Sequence, residues 1–97
     1  MLALSFPLHP PGRPEKSRAD ELLGSGVPTL VLQGSRDTFG GPEEFPSLPS
    51  GTRLVDVPGG DHGFAVSKAS PRTQAETVEA VVAEVLLWLE EVAGNLR

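Results

Sequence analysis

Apolar residues fall into three short runs followed by one long periodic stretch. The runs are Leu2 to Phe6, Val27 to Leu32 within "VPTLVLQG", and Arg53 to Val57 within "RLVDV", each bounded by glycine, proline or serine. Their length and punctuation predict strands. The middle run is almost wholly apolar, as in a strand covered on both faces of a parallel sheet, while the third alternates more and is expected nearer an edge. Between the first two runs, "PEKSRADELLGSG" predicts a short helix ending at Gly24. Between the second and third, "GPEEFPSLPSG" has room for one helical turn at most.

From Ser70 onward the periodicity changes. Val78, Val81, Val82, Val85, Leu86, Leu89 and Val92 recur at helical spacing and predict one long amphipathic helix with a single core-facing stripe, Trp88 included. Two starts are available: Pro71 in the first turn behind Ser70, or Thr73 and Glu76 as a capping box. Gly94 is the expected stop.

A chain of 97 residues limits the fold to one small domain with a narrow margin of stability. The net charge of −5 and the lack of a basic stripe argue against nucleic acid and anionic membranes as partners. With no cysteine, disulfides, thiolate catalysis and thiolate metal sites are excluded. The apolar start is broken by Pro7, too early for a span and without a basic leader region. The expectation is a soluble, cytoplasmic chain.

Candidate chemistry lies just past two of the expected strands. Asp37 follows the middle run in "LVLQGSRDTFGG", and His62 follows the third in the glycine-flanked turn "VPGGDHGF". In open α/β sheets reactive groups gather beyond the carboxyl ends of the strands, and parallel neighbours lie only about 4.8 Å apart. The two loops can therefore bring the Asp37 carboxylate to a ring nitrogen of His62. That pairing orients an imidazole and stabilises its protonated form, as a general base requires. Asp61 is an alternative orienting acid, but a turn role suits it better because adjacent side chains diverge. Arg36 is expected as a surface or salt-bridging group, and His9 in "PLHPPG" as a structural or pocket-lining residue.

No nucleophile elbow of the form G-x-S-x-G is present; Ser25 and Ser35 lack its flanking glycines. Zinc-protease, phosphate-loop and dinucleotide fingerprints are also missing, so no metal or cofactor is expected.

Together "PLHPPGRPE", "VPTLVLQGSRDTFG", "VPGGDHGF" and the C-terminal helix resemble the C-terminal half of an α/β-hydrolase. The likeness is to the compact branch near the dienelactone hydrolases and the testis-expressed and acetyltransferase-complex-subunit-like hydrolases. The resemblance implies a partial α/β-hydrolase fold in a single domain over residues 1–97: three parallel strands, equivalent to strands 6 to 8 of that fold, and the last helix. It also implies Asp37 as the acid and Asp-oriented His62 as the base of a Ser-His-Asp triad acting on an ester or related acyl bond. The short connection between the first two strands is similar to that of members without an inserted lid. The nucleophile-bearing N-terminal half is absent from the pattern, so the chain is expected to be inactive alone and to self-associate or to meet that missing half. The rival reading is a non-catalytic α/β interaction module in which Asp37 and His62 are relics.

Overall fold

The computed structural model describes residues 1–95. Its elements are β1 (Leu2–Leu4), α1 (Ala19–Leu23), β2 (Thr29–Gly34), a 3-10 turn over Pro42–Glu44, β3 (Thr52–Val57) and α2 (Gln74–Asn95). The strands form one parallel sheet in the order β1-β2-β3. Three parallel strands with a C-terminal helix are the partial α/β fold that the apolar runs and turn residues predict.

Four strand ends differ from expectation, β3 starting one residue early at Thr52 and β2 ending two residues late, and two of the four have a backbone reason. β1 stops at Leu4 rather than Phe6 because Ser5 has φ +68, which swings the chain out of the extended conformation. β2 begins at Thr29, after Pro28 whose nitrogen has no hydrogen to donate to a ladder, and runs on through Gln33 and Gly34. All six residues of β2 are buried, which is the covered central strand expected of its composition.

Register divides the core into two layers. Leu2 and Leu4 stand beside Leu30 and Leu32, and these beside Arg53 and Val55, so all of them share one sheet face. On that face Leu30, Leu32 and Val57 pack with Val81 and Trp88 of α2. On the other face Val31 packs with Phe6, Leu8 and Leu22, the last being the buried residue of α1. Gly24 closes α1, its N–H donating to Asp20 O at 3.0 Å.

In α2 the capping box is used and Pro71 lies outside the helix. Glu76 N donates to Thr73 Oγ1 at 3.1 Å and Thr73 N donates to Glu76 Oε1 at 2.9 Å. Contrary to expectation Gly94 does not end the helix, which continues to Asn95. The expected single stripe is also wrong. Val81 and Trp88 are buried and Val85 and Val92 pack beside them, but Val78, Val82, Leu86 and Leu89 are about half exposed. At about 100° per residue the apolar sector of α2 spans nearly half the helix, roughly 160°, whereas a three-stranded sheet covers only part of it.

Candidate active site

β2 and β3 deliver the acid and the histidine to the same end of the sheet. Past β2 the chain turns at Ser35–Asp37, with Asp37 N donating to Gly34 O and Gly40 N to Asp37 O. Past β3 it turns at Pro58–His62, where Gly59 has φ +75, a conformation that a residue with a Cβ rarely adopts. Main-chain bonds tie the two turns: Ser35 N donates to Val57 O at 3.1 Å and Arg36 N to Gly60 O at 2.9 Å. Gly59 N donates to Ser35 Oγ at 2.7 Å. The turns approach so closely that a Cβ on Gly34 would lie 2.1 Å from Gly60 O. Here glycine is required by space rather than by torsion angle.

His62 Nδ1 lies 2.9 Å from Asp37 Oδ2 and 3.1 Å from Oδ1. An ionised carboxylate only accepts, so Nδ1 carries a hydrogen and Nε2 is the ring nitrogen left free of Asp37. Among the described residues Nε2 has no hydrogen-bond partner, and the His62 side chain is 40 % exposed whereas that of Asp37 is 0 % exposed. A buried acid thus holds an accessible base. The Phe39 ring lies against the imidazole, centroids 4.3 Å apart at 33°, which limits rotation of the ring.

Asp37 is held in turn. Its Oδ1 accepts from Phe39 N at 2.8 Å, and its Oδ2 accepts from Gln33 Nε2 at 3.2 Å. Gln33 is fully buried; the two hydrogens of its Nε2 are shared among Asp37 Oδ2, Phe6 O and Gly40 O, while its Oε1 accepts from Phe6 N. It fastens the acid turn to the chain leaving β1. Sequence reasoning missed both Gln33 and Phe39. The available signal was a lone amide inside an otherwise apolar, fully covered strand, where a buried polar group must find partners.

The other polar candidates have structural roles. Asp61 Oδ1 accepts from Gly63 N and Ala65 N, both at 2.9 Å, so it shapes its own turn. Arg36 is exposed. Ser35 is engaged by Gly59 N, and Ser25 follows α1 near the start of β3, at the opposite end of the sheet. Ser5 precedes Asp37 and His62 in the chain and sits at the end of the neighbouring strand. Its hydroxyl, however, is buried and makes no hydrogen bond, to His62 or any other described group.

His9 is buried beneath the acid turn, its N–H donating to Phe39 O. Nδ1 lies 2.8 Å from Pro10 O and Nε2 lies 2.7 Å from Glu44 Oε1. Two acceptors on two ring nitrogens call for the doubly protonated form. The Pro10 carbonyl, and next Glu44, hold its pKa above the ordinary histidine value. Glu44 is held below the ordinary carboxylate value, first by Gly41 N–H and then by His9. This pair braces the 3-10 turn against the loop after β1, a structural role.

A parallel sheet with an acid and a histidine past adjacent strands is an arrangement of hydrolases built on α/β sheets. The chain belongs to the alpha/beta hydrolase domain family, whose model matches residues 1–90. No curated protein and no solved structure matches it. Among the described residues no group of three or more His, Cys, Asp or Glu side chains is placed to hold a metal ion, and no helix is long and apolar enough to cross a membrane.

Proposed function

We propose that this chain supplies the acid–base half of a Ser-His-Asp hydrolase, of the dienelactone-hydrolase-like branch, acting on an ester or related acyl bond. The observation that carries the reading is the 2.9 Å contact between His62 Nδ1 and Asp37, which leaves Nε2 open at the carboxyl end of parallel strands. Nε2 takes the proton of an attacking serine hydroxyl as the Ser–acyl bond forms, and the buried Asp37 carboxylate stabilises the resulting imidazolium. The same nitrogen returns that proton to the leaving alkoxide. The serine and the oxyanion donors come from residues outside these 97, since no serine described here reaches His62.

The test is to read the genomic sequence upstream of the Met1 codon for an in-frame G-x-S-x-G and to assay both chains on p-nitrophenyl acetate. The 97-residue chain should be no faster than free histidine. The extended chain should turn over, and Asp37→Asn should lower its kcat by up to about 10⁴. Turnover by the short chain that vanishes in His62→Ala would refute the division of labour. Unchanged kcat in Asp37→Asn would remove the acid from its role.

A further inference from the structure

A fully buried amide in a covered strand destabilises the fold unless its polar atoms are bonded, and Gln33 sits where a valine would pack without that demand. The chain leaves the β1 ladder at Ser5, whose N–H donates to Leu32 O at 2.9 Å and whose φ is +68. There the Gln33 side chain takes over the pairing: Oε1 accepts from Phe6 N at 2.9 Å and Nε2 donates to Phe6 O at 2.8 Å. One amide hydrogen is thereby committed. The second has two acceptors, Gly40 O at 2.7 Å and Asp37 Oδ2 at 3.2 Å.

The carboxylate draws on that second hydrogen. Its bond from Phe39 N to Oδ1 is local, the kind an aspartate in a turn makes with its own loop two residues on. Among the described residues Oδ2 has two donors, His62 Nδ1 at 2.9 Å and Gln33 Nε2. The same amide grips the far end of the acid turn through Gly40 O, while Gly40 N donates to Asp37 O. Leu8 closes against Gly40, where a Cβ would lie 2.8 Å from Leu8 Cβ, and His9 N donates to Phe39 O. Gln33 thus ties the acid to the segment leaving β1.

We propose that Gln33 is a positioning residue for the acid–base pair: it turns the Asp37 carboxylate toward His62 Nδ1, and its shared hydrogen moves from Asp37 Oδ2 toward Gly40 O when His62 becomes charged. Beside a neutral imidazole the buried carboxylate draws on every donor in reach. An imidazolium binds Oδ2 more strongly, by a charge-assisted bond, and the shared hydrogen passes to the nearer carbonyl. The anion stays satisfied in both states without movement of the main chain. The charged and titratable groups around the amide are Asp37 on its own turn and His62 beyond it on the turn after β3. On the side of the segment leaving β1 they are the His9–Glu44 pair and Arg18, which lies over the Phe6 ring and pairs with Glu21. The role deepens the acid–base reading of Asp37 and His62 and rests on it.

The test reads side-chain nitrogen resonances of the 97-residue chain, without substrate. On acidification through the titration of His62, Gln33 Nε2 and its hydrogens should shift in step with the His62 ring nitrogens. In His62→Ala that response should be lost. A Gln33 resonance that stays fixed, or one that still moves in His62→Ala and so follows His9, would overturn the proposal. Gln33→Met keeps the length of the side chain and removes its donor, and exchange of the His62 Nδ1 hydrogen with water should become at least tenfold faster. Val31→Ala, on the same face of β2 and as deeply buried, lowers stability without altering a donor to Asp37 and should leave that exchange unchanged. Equal acceleration in the two variants would reduce Gln33 to a packing role and overturn the proposal, as would unchanged exchange in Gln33→Met. If Gln33→Met does not fold, the titrations of the wild type and His62→Ala decide alone. Failure of an extended chain to hydrolyse p-nitrophenyl acetate would count against the Ser-His-Asp reading and leave these resonances as the measure of Gln33.

Discussion

Replacing Gly34 with alanine should separate the acid from the base without touching either. The added Cβ would stand 2.1 Å from Gly60 O, 2.6 Å from Gly60 C and 2.7 Å from Asp61 O, all main-chain atoms of the turn that carries His62. An ordinary contact needs about 3.4 Å, so that turn has to retreat by about 1.3 Å. A retreat of that size stretches the 2.9 Å His62–Asp37 bond to roughly 4 Å, beyond hydrogen-bond reach. It also strains the bonds from Arg36 N to Gly60 O and from Ser35 N to Val57 O. Overpacking of this kind costs about 1–3 kcal/mol, and with a urea slope of about 1–2 kcal/mol per molar for a domain this small the midpoint should fall by roughly 1 M. The site is followed by the imidazole nitrogen resonances of His62. In the wild type Nδ1 should be the protonated nitrogen near pH 8, and in Gly34→Ala the ring should revert to the tautomer mixture of free histidine. An unchanged midpoint together with an unchanged Nδ1–H signal would refute the claim that the close approach of the two turns sets the spacing of the pair.

Two further outcomes follow from the packing. Val81→Ala, at a 9 % exposed position against the sheet, should cost about 2 kcal/mol, whereas Val82→Ala, at 49 % exposed, should change stability by less than about 0.5 kcal/mol. Equal costs in urea unfolding would mean that the helix presents a different face. The His9–Glu44 brace should be strongest between pH 4.5 and 6.5, the ordinary values of the two groups. The raised His9 pKa contributes stability that is complete below 6.5 and is lost as pH rises through the higher folded value. The depressed Glu44 pKa contributes stability that is complete above 4.5 and is lost as pH falls through the lower folded value. The urea midpoint should therefore drop from pH 6 to pH 8, and His9→Gln should abolish that drop. A drop that persists in His9→Gln would place the titrating group elsewhere.

Strands and turns were legible because their signals are local: apolar runs stop at glycine, proline and serine, and loops leaving parallel neighbours at one end bring Asp37 to His62. The wide apolar sector of α2 was legible as a helix, but periodicity alone cannot say which part of it rests on the sheet. That depends on how many strands lie beneath, so Val78, Val82, Leu86 and Leu89 were assigned to the core in error. Gly94 misled because its intrinsic helix cost of about 1 kcal/mol is small enough for the flanking helix to carry. Gln33 and the left-handed Ser5 escaped notice because their surroundings arise from contacts between segments distant in sequence.

The ties between the two site turns have a consequence for mutational tolerance. Apart from Ser35 Oγ, they run from main chain to main chain, so they make few demands on residue type. Positions such as Arg36 and Pro58 can drift without moving the pair, while Gly34, Gly59, Asp37 and His62 cannot. A library randomising positions 34–37, 58–60 and 62, selected only for retention of the His62 Nδ1–H signal, should therefore recover those four residues nearly fixed amid more varied neighbours. Robustness of the Asp37–His62 geometry then resides in the backbone, and the side chains around it stay open to change.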